Sequence, residues 1–239
     1  MGIDPAILAL VCALVCGGAF LQGTTGVGLG LFASPVVLLI APEYVPGPML
    51  VPMFFTAVLA VWREFSAVDW VGTAAALIGR LPAAVLAALT LTALTQDSYA
   101  RLFAILILAA VAISLLGLKV RRTTTSMGIA GFASGYMGTL TSIGGPPMVI
   151  VMQHGSGAEV RATLSAYFTV GAIVSIASLA GFGSFTGTDL VRGLVLVPPM
   201  LLGFFASRWG IRLVDRGLLR RVLLSMVVLS ALVLLLRGA

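Results

Sequence analysis

The sequence is poor in charged residues. Only 9% of its 239 residues are charged, whereas soluble domains carry roughly 25%. With 60% hydrophobic residues and a mean hydropathy of +1.15, the chain has too few polar side chains to cover a domain in water. It is therefore predicted to be an integral membrane protein, with the lipid bilayer as its main partner and only short loops outside the bilayer.

Histidine and cysteine are scarce as well. The single histidine, His154, cannot build a metal cluster, and Cys12 and Cys16 lie in an apolar run without histidine or acidic neighbours. No metal or other cofactor is expected. An enzyme needs a nucleophile, a base or a metal set, so an enzyme or assembly factor is the weakest of the functions considered.

Lysine is nearly absent, because thirteen of the fourteen basic residues are arginine and only Lys119 is lysine. The formal net charge is +6, yet no basic run is long enough to form a groove or arm, so nucleic acid is not an expected partner. In a membrane protein such an excess marks the cytoplasmic side. No acidic residue falls deep within an apolar run, which argues against a buried carboxylate relay or sodium site.

The sequence contains an internal repeat. FLQGTTGVGLGLFASPVVLLI (20–40) aligns without a gap with FASGYMGTLTSIGGPPMVIVM (132–152), at an offset of 112 (135 minus 23) that places Gly23 on Gly135. Two halves are thus predicted, each with one glycine-interrupted segment and three apolar runs long enough to cross a hydrocarbon core of about 30 Å. The predicted segments are 6–41, 46–62, 70–94 and 99–118 within residues 1–122, and 126–153, 160–182, 190–207 and 218–236 within residues 123–239.

The distribution of basic residues decides between two topologies. If each interrupted segment crosses the bilayer once, the thirteen basic residues outside the spans divide six to seven; if each returns to the side it entered, they divide ten to three. The positive-inside asymmetry favours the second topology. We therefore predict an all-α polytopic protein of two inverted repeats, each a Gly/Pro-broken re-entrant helical hairpin plus three transmembrane helices. Both termini are predicted to be extracytoplasmic and loop 208–221 cytoplasmic, in the cell inner membrane, as a monomer or homodimer.

The breaks in the two interrupted segments predict a binding site. Irregular backbone at membrane depth is tolerated where protein buries it or where it lines a cavity. Pro35, Pro146 and Pro147 are predicted to start half-helices whose N-terminal N–H groups suit an anion and meet at the centre. The alternative, that the glycines only permit tight packing, is less favoured because the motif occurs twice. The predicted lining residues are Gln22, Thr24, Thr25, Gly26, Gly28, Ser34, Gly138, Thr139, Thr141, Ser142, Gly144, Gly145 and Tyr167.

Arg80 is the prime candidate for a full positive charge at this site. It lies eleventh in the run 70–94, with no acidic residue within one turn on the same helix. A substrate anion would compensate its charge; the alternatives are a distant carboxylate or snorkelling to the interface. Arg161 either faces the cavity or anchors the cytoplasmic interface. His154 is a candidate for proton coupling or a solvated interfacial residue.

The two glycine motifs resemble those of the TauE/SafE sulfite and organosulfonate exporter family, also called the four-TMS sulfonate permease family. The first motif, GTTGVGLGLFASPVV from Gly23, is similar to the family's Gly-x-x-Gly-x-Gly followed by proline and an aliphatic residue, although its glycines alternate rather than being consecutive. The second motif, GYMGTLTSIGGPP from Gly135, ends in the family's Gly-Gly-Pro-Pro. VRATLSAYF (160–168) resembles the segment after the family's second hairpin, whereas Ser142 replaces a usual glycine. The resemblance implies proton-coupled export of sulfur oxyanions or organosulfonates.

Two functions remain open at this point. A secondary transporter would bind a small anion, such as sulfite or a short organosulfonate, between the half-helix N-termini and rock the repeats around it. A passive anion channel would use the same helix dipoles in an open pore.

Overall fold

The computed structural model describes residues 4–115 and 120–210, which form ten α-helices and two single-turn 3₁₀ helices and contain no strand. This confirms the predicted all-α class. The predicted span 218–236 and residues 211–221 of the Arg-rich loop lie outside the described residues. The helices are α1 (Pro5–Thr25), α2 (Leu29–Ile40), α3 (Gly47–Arg63), α4 (Trp70–Ala93), α5 (Gln96–Leu115), α6 (Thr124–Thr141), α7 (Gly145–Met152), α8 (Gly157–Gly181), α9 (Gly187–Val195) and α10 (Val197–Gly210).

Four of the predicted apolar runs are continuous helices. The runs 46–62, 70–94, 99–118 and 160–182 correspond to α3, α4, α5 and α8, with ends that differ by a few residues over the described part of the chain. By length and hydropathy α1, α4, α5 and α8 are long enough to cross a membrane, whereas α3 has 17 residues. These long apolar helices therefore support the prediction of a membrane protein.

The predicted span 190–207 is divided between two helices. The chain bends by 41° between α9 and α10, at Leu196. Pro198 and Pro199 follow directly, and neither has an N–H to donate to the preceding turn, so the helix cannot continue unbent. Pro82, by contrast, lies inside the continuous helix α4.

Both interrupted segments form helical hairpins. After α1 the chain turns at Gly26, which has a φ of 85°. α2 then folds back along α1, as the close approach of Gly18 and Leu29 shows: a Cβ atom on Gly18 would lie 2.9 Å from the Leu29 Cα. After α6 it turns at Ser142, with a φ of 60°, and Ser134 Oγ donates to the Gly144 carbonyl oxygen at 2.5 Å. We call α1 with α2 the first hairpin and α6 with α7 the second hairpin.

The prediction that Pro35 starts a half-helix is wrong. α2 begins at Leu29, and Pro35 lies in its interior. Gly28, with a φ of 157°, precedes α2, so the break is set by a backbone conformation that only glycine adopts easily. In the second hairpin Pro146 and Pro147 do lie in the first turn of α7, which begins at Gly145. The left-handed turn residues of the two breaks, Gly26 and Ser142, are therefore 116 positions apart (142 minus 26), whereas the repeat in the sequence aligns at an offset of 112.

Each hairpin packs against the other half of the chain. α1 packs on α10 so closely that a Cβ atom on Gly203 would overlap the Cys16 carbonyl oxygen. α6 packs on α4 in the same way, and a Cβ atom on Gly79 would overlap the Gly128 carbonyl oxygen. Small residues allow such close approach of helices. These glycines therefore serve packing, while those at the breaks serve the turns.

Five charged residues meet at one end of the bundle. Arg122, just before α6, pairs with Asp69 and with Glu159, and Arg161 forms a forked ion pair with Glu64 through Nε and Nη2. Burial raises the pKa of the Asp69 carboxyl, but donation from the Gly72 N–H and from Arg122 outweighs it and holds that pKa below its usual value. The end of α3 and the starts of α4, α6 and α8 are thus tied together.

Candidate functional site

The tips of the two hairpins are in contact. A Cβ atom on Gly30 would overlap the Ser142 carbonyl oxygen, so α2 can approach the second break only because residue 30 is glycine. A Cβ atom on Gly145 would lie 3.1 Å from the Val27 Cγ1. The N-termini of α2 and α7 therefore lie side by side.

A cavity of about 110 Å³ lies between these two helix starts. We call it the tip cavity. Gly28 and Gly30 line it from the first hairpin, and Gly144 and Gly145 from the second. The remaining lining residues are Gln22, Val27, Leu31, Met53, Ser142, Ile143, Pro146, Val149 and Phe168.

A smaller cavity of about 20 Å³ adjoins the tip cavity, because Gln22, Met53, Gly144 and Phe168 line both. We call it the arginine cavity, since Arg80 forms part of its wall. Its other lining residues are Leu50, Gly138 and Ala172. The predicted site residues Arg80, Gln22, Gly138 and Gly144 are therefore brought together in the fold.

Arg80 is 3% exposed and incompletely hydrogen-bonded. Its Nη2 donates to Ser175 Oγ at 3.0 Å, and that oxygen lies 2.7 Å from Thr139 Oγ1. Its Nε and Nη1 are buried without a hydrogen-bond partner, and no carboxylate in residues 4–115 and 120–210 pairs with it. The alternative that a distant carboxylate compensates Arg80 thus finds no support in the described part of the chain.

The neighbours of Arg80 make room for its guanidinium without neutralising it. A Cβ atom on Gly171 would overlap the guanidinium nitrogen Nε, so glycine is required beside it. The guanidinium carbon lies 5.0 Å from the centre of the Tyr167 ring, within the range of a cation–π contact. Tyr167 itself donates from its hydroxyl to the Gly131 carbonyl oxygen at 3.0 Å.

The helix N-termini offer fewer hydrogen-bond donors than predicted. Pro146 and Pro147 occupy the first turn of α7 and have no N–H, so mainly Gly144 and Gly145 can donate there. At α2 the N–H of Leu29 already donates to Gln22 Oε1 at 3.2 Å. The helix dipoles still give both ends positive potential, but Arg80 is the main source of free N–H groups.

Most of the predicted hydroxyl ligands satisfy nearby backbone instead. Thr24 and Thr25 donate to the Leu21 carbonyl oxygen, and Thr141 donates to that of Met137. Ser142 lines the tip cavity and donates to the Pro46 carbonyl oxygen at 3.2 Å. Ser34, although buried with an unpartnered Oγ, lines neither cavity.

The remaining two candidates lie away from both cavities. Arg161 is held by Glu64, as an interfacial anchor would be, and packs on Gly26 at the outer side of the first break. His154 lies in the exposed turn after α7.

Sequence reasoning missed Ser175, Met53 and Phe168. One signal was available for Ser175, because Tyr167, Gly171 and Ser175 recur at intervals of four on the predicted span 160–182 and so share a helix face. Met53 and Phe168 are ordinary apolar residues in apolar runs. Only the packing of α3 against α8 brings them together at the cavities.

Comparisons with known proteins agree on one family. The model of the family described as "Sulfite exporter TauE/SafE" matches residues 9–234. The protein named "Probable sulfite/organosulfonate exporter TauE" from Cupriavidus necator is 26% identical over 208 residues, which cover 82% of this chain and 81% of that protein. No solved structure matches the chain.

Proposed function

We propose, because the chain belongs to the sulfite exporter TauE/SafE family, that it is a secondary transporter that exports a small sulfur-containing anion such as sulfite or a short organosulfonate. The match covers both hairpins and both cavities. The observation that carries the binding site is the buried guanidinium of Arg80, which has two unpartnered nitrogens, in a residue that lines the arginine cavity together with Gly144, directly before α7.

The proposed anion sits against Arg80. A guanidinium presents a planar set of N–H donors that fits the oxygens of an oxyanion, and such charge-assisted bonds are among the strongest in proteins. Burial would make an unpaired guanidinium costly, so binding an anion relieves that cost. The positive end of α7 and the amide of Gln22 complete the surroundings of the anion.

The proposed topology is two inverted repeats with re-entrant hairpins and both chain ends outside the cytoplasm. The ion pairs support it, since Arg161 contacts Glu64 and Arg122 contacts both Asp69 and Glu159. If each interrupted segment crossed the bilayer once, Arg161 and Glu64 would lie on opposite faces. Under the proposal, the end that holds these ion pairs faces the cytoplasm.

Transport is proposed to follow alternating access, with the two repeats moving around the site. The contact between Gly30 and Ser142 holds the two tips together, and separating them would open the tip cavity. Coupling to protons is part of the proposal, and His154 would act in it from the surface of the protein because it is exposed.

The test replaces Arg80 by glutamine in purified protein reconstituted into proteoliposomes. Arg80→Gln should reduce sulfite flux at least about tenfold, since one charge-assisted hydrogen bond contributes about 1.5–3 kcal/mol. The matched control is Arg192→Gln, an arginine on α9 that pairs with Asp189 away from both cavities, and it should transport normally. Normal flux in Arg80→Gln, with the protein folded, would reject the site.

Counterflow separates a carrier from a channel. Unlabelled sulfite on the far side should accelerate the uptake of labelled sulfite if the protein cycles between two states. A channel gives no such acceleration. The small volumes of both cavities favour the carrier.

A further inference from the structure

The two adjoining cavities differ in chemical character. Arg80, whose buried guanidinium has two unpartnered nitrogens, forms part of the wall of the arginine cavity. The tip cavity is lined by only two residues with polar side chains, Gln22 and Ser142. The Gln22 Oε1 accepts from the Leu29 N–H, and Ser142 donates to the Pro46 carbonyl oxygen. Apart from the backbone N–H groups at the start of α7, the tip cavity therefore presents mainly apolar groups to a bound molecule.

We infer that the substrate is an amphiphilic organosulfonate, whose anionic head binds Arg80 and whose short aliphatic tail fills the tip cavity. The inference rests on the proposed function and adds that the tail, not only the head, is recognised. A bare sulfite ion bound at Arg80 would leave much of the tip cavity, an apolar space of about 110 Å³, unfilled. Such a space stays dry or is filled by an apolar group.

The size of the tip cavity limits the tail. A water molecule takes about 30 Å³ of liquid, so the cavity has room for a tail of about two to four carbons. Each buried methylene should tighten binding about fourfold until the cavity is full. Longer tails should then bind more weakly, because the walls would have to move.

Met53 and Phe168 are the residues that set this preference. They line both cavities, so their side chains flank the passage from head to tail. Val149 lines only the tip cavity, on α7. Removing side-chain volume at Met53 should lengthen the preferred tail, and adding volume at Val149 should shorten it.

The experiment is isothermal titration calorimetry of the purified full-length protein in detergent. The probes are sulfite and methane-, ethane-, propane-, butane- and hexanesulfonate. Wild type should bind with an affinity that rises about fourfold per methylene to an optimum between ethane- and butanesulfonate and then falls. Arg80→Gln should lose the whole series, so any dependence on chain length that persists in that variant reports partition into detergent and counts against the inference.

Two variants with matched controls sharpen the test. Met53→Ala should move the optimum to a longer sulfonate, whereas Leu202→Ala, on a side chain that is 70% exposed on α10, should not. Val149→Phe should weaken butanesulfonate at least about tenfold relative to methanesulfonate, because the added ring occupies the space of the tail. Val71→Phe, at a position that is 75% exposed on α4, should leave the profile unchanged.

The outcomes separate the inference from the proposed function. If wild type binds sulfite in an Arg80-dependent manner but shows no gain with tail length, the tail compartment is rejected and the anion transporter stands. If neither sulfite nor any sulfonate binds, both are rejected. An optimum that ignores Met53→Ala and Val149→Phe would also overturn the assignment of the tip cavity.

Discussion

The two hairpins have the same design but place their breaks at different distances from equivalent packing glycines. Gly23 of α1 packs against α10 and Gly135 of α6 packs against α4. The chain runs three residues from Gly23 to the turn at Gly26, but seven from Gly135 to the turn at Ser142 (26 minus 23; 142 minus 135). The extra four residues are about one helical turn. The returning helix is shorter in compensation, with 8 residues in α7 and 12 in α2.

Each hairpin also has an arginine beside its packing glycine, but the two arginines are used differently. Arg63 of α3 donates through Nη2 to the Gly23 carbonyl oxygen at 2.8 Å and lies over the Phe204 ring, with Nη1 buried and unpartnered. Arg80 of α4 lies beside Gly135 and donates to a side chain, Ser175. Arg63 thus supports the backbone of its hairpin, whereas Arg80 lines the arginine cavity and has two unpartnered nitrogens.

The difference shows how a repeated fold can build one asymmetric site. The extra helical turn extends the second tip beyond the point where Gly135 packs on α4, so that Gly138 and Gly144 reach the arginine cavity. The first hairpin supplies Gln22 and the far wall of the tip cavity. Under the proposed function, the second hairpin thus contributes two glycines to the surroundings of the anion and the first contributes Gln22.

The contact between the tips should be the most sensitive point. Gly30→Ala would place a methyl group on the Ser142 carbonyl oxygen, and because backbone must move to relieve it, we expect a loss of at least about 3 kcal/mol in stability. The measurement is the melting temperature of purified protein. Gly181→Ala is the control, since a Cβ atom there meets nothing within 4 Å. Equal stability of the two variants would mean that the tips do not touch.

The two arginines should separate stability from binding. Arg63→Gln leaves the Gly23 carbonyl oxygen without its donor and should cost about 1–3 kcal/mol in stability, with sulfite affinity unchanged within about twofold. Arg80→Gln should instead lose sulfite binding while the protein stays folded. Melting temperature and calorimetric affinity of both variants check this division. A loss of affinity in Arg63→Gln as large as that in Arg80→Gln would contradict the division of roles.

Substitutions at the two left-handed turn residues, Gly26 and Ser142, should change the stability of the protein by unequal amounts. Gly26→Ala puts a side chain at a φ of 85° and 3.0 Å from Arg161 Cγ, so we expect a cost of about 2 kcal/mol or more. Ser142→Gly relieves the same backbone strain but loses the hydrogen bond to Pro46, so the net change should stay below about 1 kcal/mol. Chemical denaturation measures both. A larger effect at Ser142 would show that its hydroxyl matters more than the turn.

The smallest expected effect concerns the start of the second hairpin. Because the folded pKa of Asp69 is lowered, its stabilising contribution is present above the ordinary carboxyl pKa of about 3.9 and is lost as the pH falls through the folded value. Arg122→Gln removes one cause of that lowering. The melting temperature gap between wild type and Arg122→Gln should therefore shrink as the pH falls from 6 to 3.

The gap itself should correspond to less than about 1 kcal/mol, since these side chains are partly exposed. The control is Arg192→Gln, whose gap should not follow the titration of Asp69. A gap for Arg122→Gln that widens towards acid would reverse the sign assigned to the pair.

Much of the helical fold was predictable, because long apolar runs leave few alternatives in a bilayer. α3, α4, α5 and α8 follow from length and hydropathy alone. The breaks were located only approximately, since Pro35 is visible in the sequence whereas the positive φ of Gly28 is a property of the folded backbone. Likewise, Pro82 lies inside a continuous helix whereas Pro198 and Pro199 follow a bend, and proline alone does not tell the two cases apart in the sequence.

The site was predictable where charge was concerned and not where packing was concerned. Arg80 stands out as a charge within an apolar run. Its partner Ser175 lies 95 positions away in sequence, and Phe168 and Met53 meet only through the packing of α3 and α8. No local pattern specifies such contacts, which depend on how the halves associate.

The packing of α1 on α10 has a consequence for biogenesis. Cys16 and Gly203, which touch in the fold, are 187 positions apart (203 minus 16), so a ribosome working at about 5–20 residues per second makes the second some ten to forty seconds after the first. During that interval the face of α1 that carries Cys16 and Gly23 lacks its partner helix. The insertion machinery or the surrounding lipids must therefore cover that face until α10 has been synthesised.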